Sequence, residues 1–375
     1  MAITIAHIAR AARVSPATVC RVLNQRPEVS ERTRRKVLTA LKRVGWPTRA
    51  ITPSRRILRP AGTGLGPVLI DVLLYRYQWT ETLDASGREV AIGSLQPIPT
   101  GFFRDQAYTI ESGFYRGLID GVVEEAGPWG YQAVVQHVRD LRDPEVMLRI
   151  DRPEKAGLIL AGEWGADVDW FVASCAKPLV LLDLPASGTA PVVTMDDHVG
   201  ISQIMAHLQA LGHRRIAFAG GPGSRPQPVQ RYIAWRLHLA DAGLPLVHEW
   251  VYLDSVHMVD VQRWAEALLG REDRPTAIVC QNDFVALAVL VAARTRGLPV
   301  PQGLSVVGYD DGEVARMANP PLTTVTVPTS TLGRVALREL LQEVADAADA
   351  PRLARRILVA PALTIRGSTG PVPAP

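Results

Sequence analysis

Residues 4–24 read Thr4-Ile5-Ala6-His7-Ile8-Ala9-Arg10-Ala11-Ala12-Arg13-Val14-Ser15-Pro16-Ala17-Thr18-Val19-Cys20-Arg21-Val22-Leu23-Asn24. Thr4 suits an N-cap, because its hydroxyl accepts from a free N–H of the first turn. Ile5, Ile8, Ala9 and Ala12 recur at i, i+3, i+4 and i+7, one apolar face of a helix. Val14 enters the core of a turn. Ser15 then caps a second helix, and Pro16 takes its first position, where a missing N–H costs nothing. Val19, Val22 and Leu23 form the buried side of that helix and leave Ala17, Thr18, Cys20 and Arg21 outside. A third helix follows Val29, capped by Ser30 and running from Thr33 to Val44, with Val37, Leu38, Leu41 and Val44 inward. Two short helices broken by a tight turn, the second open along one side, can lie in a DNA groove.

Charge supports that reading over a helical bundle with no partner. Residues 1–60 hold 14 Lys/Arg against 2 Asp/Glu, a net +12 in a chain of net +4, so the rest carries −8. A basic head on an acidic body is the electrostatic footprint of a nucleic-acid module.

The run Ile8-Ala9-x-x-Ala12-x-Val14-Ser15-x-x-Thr18-Val19-x-Arg21-Val22-Leu23-Asn24, followed by Val29-Ser30-x-x-Thr33-Arg34, resembles the headpiece of the lactose/galactose repressor (LacI/GalR) family. The resemblance continues through Leu211-Gly212-His213-Arg214-Arg215-Ile216, Gln281-Asn282-Asp283, Ser305-Val306-Val307-Gly308-Tyr309-Asp310-Asp311 and Pro320-Pro321-Leu322-Thr323-Thr324-Val325. It implies a sequence-specific, DNA-binding transcriptional regulator, a repressor whose grip a small molecule controls. It further implies that Pro16, Ala17 and Arg21 meet operator bases and that Thr4, Ser15, Thr18, Asn24, Ser30 and Thr33 hold phosphates. An Arg at position 21 can donate two bonds to guanine, whereas phosphate contacts orient the head without reading sequence. Three residues depart from the pattern. Cys20 replaces a Ser and removes one hydroxyl contact. Arg13 stands where the turn has Gly, so a left-handed backbone there costs more. Pro16 and Ala17 are short and apolar, which limits direct readout.

Residues 49–66 have linker composition, rich in Pro, Gly and Arg. The family forms a hinge helix here whose apolar side chain wedges into the minor groove. The usual pattern is missing, but a helix starting with Thr52 as cap and Pro53 first would offer Ile57 or Leu58 as the wedge. A basic tether without structure fits equally well.

From Pro67 short apolar runs alternate with helical stretches. Val68–Leu74, Gln132–Gln136, Gly157–Ala161, Pro178–Leu182, Val192–Met195, Arg215–Ala219, Thr276–Cys280 and Leu304–Gly308 read as strands, with helices between. Such alternation gives a doubly wound parallel sheet. About 310 residues exceed one core, so two lobes are expected. The expected fold is thus an all-α helix-turn-helix headpiece (residues 1–48) joined to a two-lobed, periplasmic-binding-protein-like α/β domain (67–367). The resemblance sets lobe limits near 67–194 plus 327–349 and 195–326 plus 351–367, with 368–375 as a tail.

Ligands of such folds sit at the carboxyl ends of strands, here in a cleft between lobes. Arg231, Asn282 and Asp310 match the family's effector pocket, and their fork, amide and carboxylate suit a sugar or sugar derivative. Asp196 and Trp235 are further candidates, although Trp235 serves equally well as core. Asp283 and Asp311 read as helix cap and loop brace, and His213 as structural. Residues 75–110 form a connection roughly 20–25 residues longer than short α/β loops, with Glu89–Leu95 a possible strand or hairpin.

No charged-then-apolar leader and no 18-residue apolar stretch is present, which points to a cytoplasmic protein without a membrane span. Cys20, Cys175 and Cys280 are far apart and lack metal-site spacing. No phosphate loop, Gly-x-Ser-x-Gly or ligand cluster suggests an enzyme, and no cofactor or metal is expected. One headpiece reads a half-site, so a homodimer on a pseudo-palindromic operator is expected. The rival reading is a solute-binding module of the same clamshell type with no role on DNA, which the basic head argues against.

Overall fold

A helix α1, Ile5–Ala12, opens the head of the chain. The computed structural model describes residues 5–15, 18, 19, 22, 30, 33, 35–37, 39–40, 68–75, 82–83, 89–90, 113–162, 166–220, 226–254, 257–346 and 354–372. Thr4, Pro16, Ala17, Arg21, Asn24, Ile57, Leu58 and most of the 75–110 insertion lie outside them. Helix α1 ends where Arg13 takes a left-handed φ of 55°. Val14 N–H donates back to the Ala9 carbonyl at 3.0 Å and Arg13 N–H to that of Arg10 at 3.3 Å. These are the paired 6→1 and 5→2 bonds of a Schellman stop, with Arg in the position glycine fills most cheaply. Ser15 Oγ accepts from Thr18 N–H at 3.1 Å, and Ser30 Oγ from Thr33 N–H at 3.4 Å, so both caps form as their positions suggest. Ala9, Ala12, Val19, Val22, Val37 and Ala40 meet in one buried cluster with Val14 against it.

The chain then runs through β1 (Val68–Tyr75), a short hairpin β2–β3 (Thr82–Leu83 and Glu89–Val90) and α2 (Gly113–Ala126). Next come β4 (Tyr131–Val138), α3 (Pro144–Ile150), β5 (Lys155–Gly162), α4 (Ala166–Ser174), β6 (Leu179–Leu182) and β7 (Val192–Met195). Helix α5 (Asp197–Ala210) leads to β8 (Ile216–Gly220), α6 (Pro226–Asp241), β9 (Val251–Leu253), α7 (Met258–Leu269) and β10 (Ala277–Cys280). The rest comprises α8 (Asp283–Thr295), β11 (Ser305–Asp310), α9 (Glu313–Met317), β12 (Thr323–Thr326), α10 (Thr329–Asp346), β13 (Arg356–Val359) and β14 (Ala362–Thr364).

These strands build two six-stranded sheets, ordered β13-β7-β6-β5-β1-β4 and β14-β12-β11-β10-β8-β9. In the first, β1 lies parallel between β4 and β5, so its apolar run is covered by strands on both sides and buried from Ile70 to Tyr75. Leu73, Leu158, Leu160, Phe171 and Leu181 anchor the core on one face. In the second, β8, β10, β11 and β12 run parallel and β14 closes antiparallel on β12. Its core gathers Val261, Ile278, Val289, Leu304 and Val306.

Two late segments find partners far back in the chain. Strand β13 joins the first sheet, not the second: Val192 N–H donates to Arg355 O at 2.8 Å and Asp196 N–H to Val359 O at 2.9 Å. The open edge of β7 satisfies its backbone groups by taking this strand. Residues 368–372 are also no loose tail. Ser368 is fully buried, accepting from Thr323 N–H at 2.8 Å and donating to Val306 O at 2.6 Å, while Val372 N–H donates to Leu211 O at 2.9 Å.

Candidate functional site

Polar side chains converge at the carboxyl edge of the second sheet, brought there by β10, β11, the first turns of α5 and α8 and the second turn of α6. Arg231, from α6, is only 5% exposed. Its Nε donates to Asp197 Oδ1 at 2.8 Å. Its Nη1 donates to the Gln281 carbonyl and, at 3.5 Å, to Asp310 Oδ1. Nη2 points at the Met195 thioether, 3.3 Å away and a weak acceptor. The Tyr309 ring lies under the guanidinium, 3.6 Å from its carbon to the ring centroid. Gly200 makes that possible, because a Cβ there would stand 2.2 Å from the Tyr309 hydroxyl oxygen. Burial opposes the Arg231 charge, but Asp197 and Asp310 outweigh it and hold the group more firmly cationic than usual.

Asp310 has φ 102° and Asp311 φ 54°, two successive residues outside ordinary backbone space. Backbone strain of this kind persists only where surrounding structure enforces it. Burial raises the Asp310 pKa to about 6, with Arg231 lowering it and Asp197 adding to the rise. Asp311 is held by Arg366 Nη2 at 2.6 Å and accepts from the Thr326 hydroxyl at 2.9 Å, so it braces the loop. Asp283 is buried and accepts from Gly312 N–H at 2.8 Å and Thr324 Oγ1 at 2.7 Å. Burial first, then the negative charge of Asp310, lifts its pKa to about 7.

The expected site residues fall into three groups. Arg231 and Asp310 meet directly. Asn282 and Asp196 adjoin them as helix caps: Asn282 Oδ1 accepts from Val285 N–H at 2.9 Å, and Asp196 Oδ1 from Val199 N–H at 3.1 Å. Asn282, not Asp283, is therefore the cap of α8, because only the residue before the helix has the extended backbone a cap needs. Trp235 is fully buried, its ring 5.6 Å from that of Phe218. Asp197 and Tyr309 belong to the cluster but are not picked out by the sequence. The available signal is Asp197 directly after Asp196, with Gly200 three residues on. His213 is buried and tied to Thr276 Oγ1 at 2.9 Å, Ser305 Oγ at 3.0 Å and the Gly370 carbonyl at 3.0 Å, a structural role.

In the head, Ser15 Oγ also lies 2.8 Å from Thr18 Oγ1 and Ser30 Oγ 2.9 Å from Thr33 Oγ1. Each hydroxyl pair stands at a helix start, where free N–H groups favour an anion such as a phosphate. Among the described residues, no helix is long and apolar enough to cross a membrane.

A helix-turn-helix head followed by two parallel α/β sheets defines a class: DNA-binding regulators with a periplasmic-binding-protein-like body. A family model of bacterial regulatory proteins of the lacI family matches residues 4–48, and one for a periplasmic binding protein-like domain matches residues 205–369. The chain is 32% identical, over its full length and 98% of the relative's, to the HTH-type transcriptional regulator MalR of Streptomyces coelicolor. Its fold is shared with a transcriptional regulator CelR–cellobiose complex (TM-score 0.64, 24% identity, 98% of this chain and 100% of that one). It is shared too with a lac repressor dimer bound to operator and the anti-inducer ONPF (TM-score 0.63, 24% identity, 99% and 100%). The protein belongs to the LacI family and is a DNA-binding transcriptional regulator.

Proposed function

We propose that the chain is a repressor that binds a pseudo-palindromic operator as a homodimer and releases or tightens it in response to a carbohydrate effector. The observation that carries the effector half is the Arg231–Asp310 pair at the carboxyl edge of the second sheet. A buried guanidinium beside a partly exposed carboxylate supplies both donors and an acceptor to hydroxyl groups. That fold neighbours are described with cellobiose and with operator DNA supports the reading. On DNA, Pro16, Ala17 and Arg21 would face bases, and Thr4, Ser15, Thr18, Asn24, Ser30 and Thr33 phosphates, with Ile57 or Leu58 as a minor-groove wedge. Asn282 and Asp196 would frame the effector site. The protein acts in the cytoplasm, where its DNA is, and has no catalytic role.

The test is selection of duplexes from a random pool by the purified protein, followed by titration of the recovered site with a sugar panel. A recovered palindrome whose affinity one sugar changes at least tenfold supports the proposal. Indifference to sequence at moderate salt would refute it. Arg21→Ala should weaken the recovered site by about 1–3 kcal/mol and relax one base preference.

A further inference from the structure

The second sheet's carboxyl edge has three features that ordinarily hold an anion, and each already faces a group of the protein. The Arg231 guanidinium is paired by Asp197 at 2.8 Å and faces Asp310 at 3.5 Å. The start of α5 is capped by the Asp196 carboxylate, with Asp197 in its first turn. The start of α8 is capped by the Asn282 side chain, with Asp283 in its first turn. A helix N-terminus attracts negative charge, and here both are filled from within. The nearby cations Arg366 and Arg316 are turned to Asp311, at 2.6 and 3.9 Å. Five carboxylates (Asp196, Asp197, Asp283, Asp310 and Asp311) thus surround three guanidiniums. Among the described residues, a phosphate or carboxylate brought here would meet no buried guanidinium that lacks a carboxylate partner. Hydroxyl groups fare better. Asp310 is 32% exposed and can accept from them.

From this geometry we infer that Asp197 determines the effector class: by taking the Arg231 charge it makes the site select an uncharged polyhydroxyl ligand and reject anionic derivatives. The inference rests on the reading above that this edge holds the effector. It makes Asp197 a specificity residue that acts through Arg231 and need not touch the ligand.

The experiment has two arms on the full chain. In the first, melting of wild type, Asp197→Asn and Asp310→Asn is followed with inorganic phosphate replacing chloride at fixed ionic strength. Phosphate bound by the basic head is common to all three and cancels in the comparison. Asp197→Asn should gain a phosphate-dependent rise in melting temperature over wild type, and Asp310→Asn a smaller one; the latter is the milder variant should the former fold poorly. Equal phosphate response in all three would overturn the inference. The second arm compares glucose, maltose, trehalose and cellobiose with glucose 6-phosphate, trehalose 6-phosphate and glucuronate by calorimetry. A neutral sugar binding wild type at least tenfold more tightly than any anionic one supports the inference, and the reverse order overturns it. Silence of every sugar would count against the carbohydrate reading alone, and the phosphate arm would still decide the role of Asp197.

Discussion

Asp283 should make the stability of the second body fall as pH rises from 6 to 8. Its carboxyl is 2% exposed and, among the described residues, takes two donors, Gly312 N–H and Thr324 Oγ1, while Asp310 and Asp311 add negative charge nearby. Burial chiefly lifts its pKa from 3.8 in an open chain to about 7 in the fold. The folded state therefore holds a proton that the unfolded state has released. That contribution is complete below the unfolded value and is lost as pH climbs through about 7. Between pH 6 and 8 the loss integrates to about 1.4 kcal/mol, one pKa unit's worth. For a body of this size it lowers the melting temperature by roughly 3–5 °C. His207, His213 and His238 act in the opposite sense, because burial lowers their pKa and folding is penalised as they charge at low pH. These histidines are common to wild type and Asp283→Asn, whereas Asp310, itself raised to about 6, loses a neighbouring negative charge in the variant, so the difference between the two reports the Asp283–Asp310 pair. Asn mimics the protonated acid and should be the less affected by raising pH. Melting curves at pH 6, 7 and 8 that keep a constant gap between the two proteins would show that Asp283 does not hold a proton in the fold.

Other substitutions probe the remaining joints. Arg13→Gly relieves the left-handed strain at φ 55° and should stabilise the head by about 0.5–1 kcal/mol in urea unfolding, since glycine's extra chain entropy offsets part of the gain. Ser15→Ala removes the cap on Thr18 N–H and should cost the head about 1 kcal/mol. Arg231→Ala leaves Asp197 buried without its cation and should destabilise by about 3–5 kcal/mol, so a lost effector response in that variant is read only beside its melting curve. Removing residues 368–375 should lower the melting temperature of the second body, because Thr323 N–H and Ser305 Oγ lose buried partners; an unchanged curve would mark the segment as dispensable.

The sequence made some of this architecture readable because the causes are local. Ser15 and Ser30 precede apolar helical periods, and their caps need only the next three residues. Val68–Leu74, broken only by Asp71, and Ala277–Cys280 are apolar runs, so buried parallel strands follow. What escaped depends on distant partners. Strand β12, Thr-Thr-Val-Thr, is not among the strands read from the sequence, because it is short and carries one apolar side chain; β11 and β14 flank it. Residues 368–370 read as Ser-Thr-Gly loop, yet their bonds go to Ser305, Val306 and Thr323, more than forty positions earlier. Arg231 and Asp310 stood out through motifs, whereas Asp197 looked like an ordinary acidic first-turn residue. Its importance appears only once α5 and α6 set it 2.8 Å from the guanidinium.

A ligand at the second sheet's edge is proposed to govern the grip of the head on DNA. The deciding measurement is fluorescence anisotropy of one labelled operator, titrated with wild type and Asp310→Asn with and without the active sugar. Equal DNA affinity of the two proteins without sugar, and a sugar-induced shift in wild type alone, is the predicted result. A shift of the same size in Asp310→Asn would contradict it.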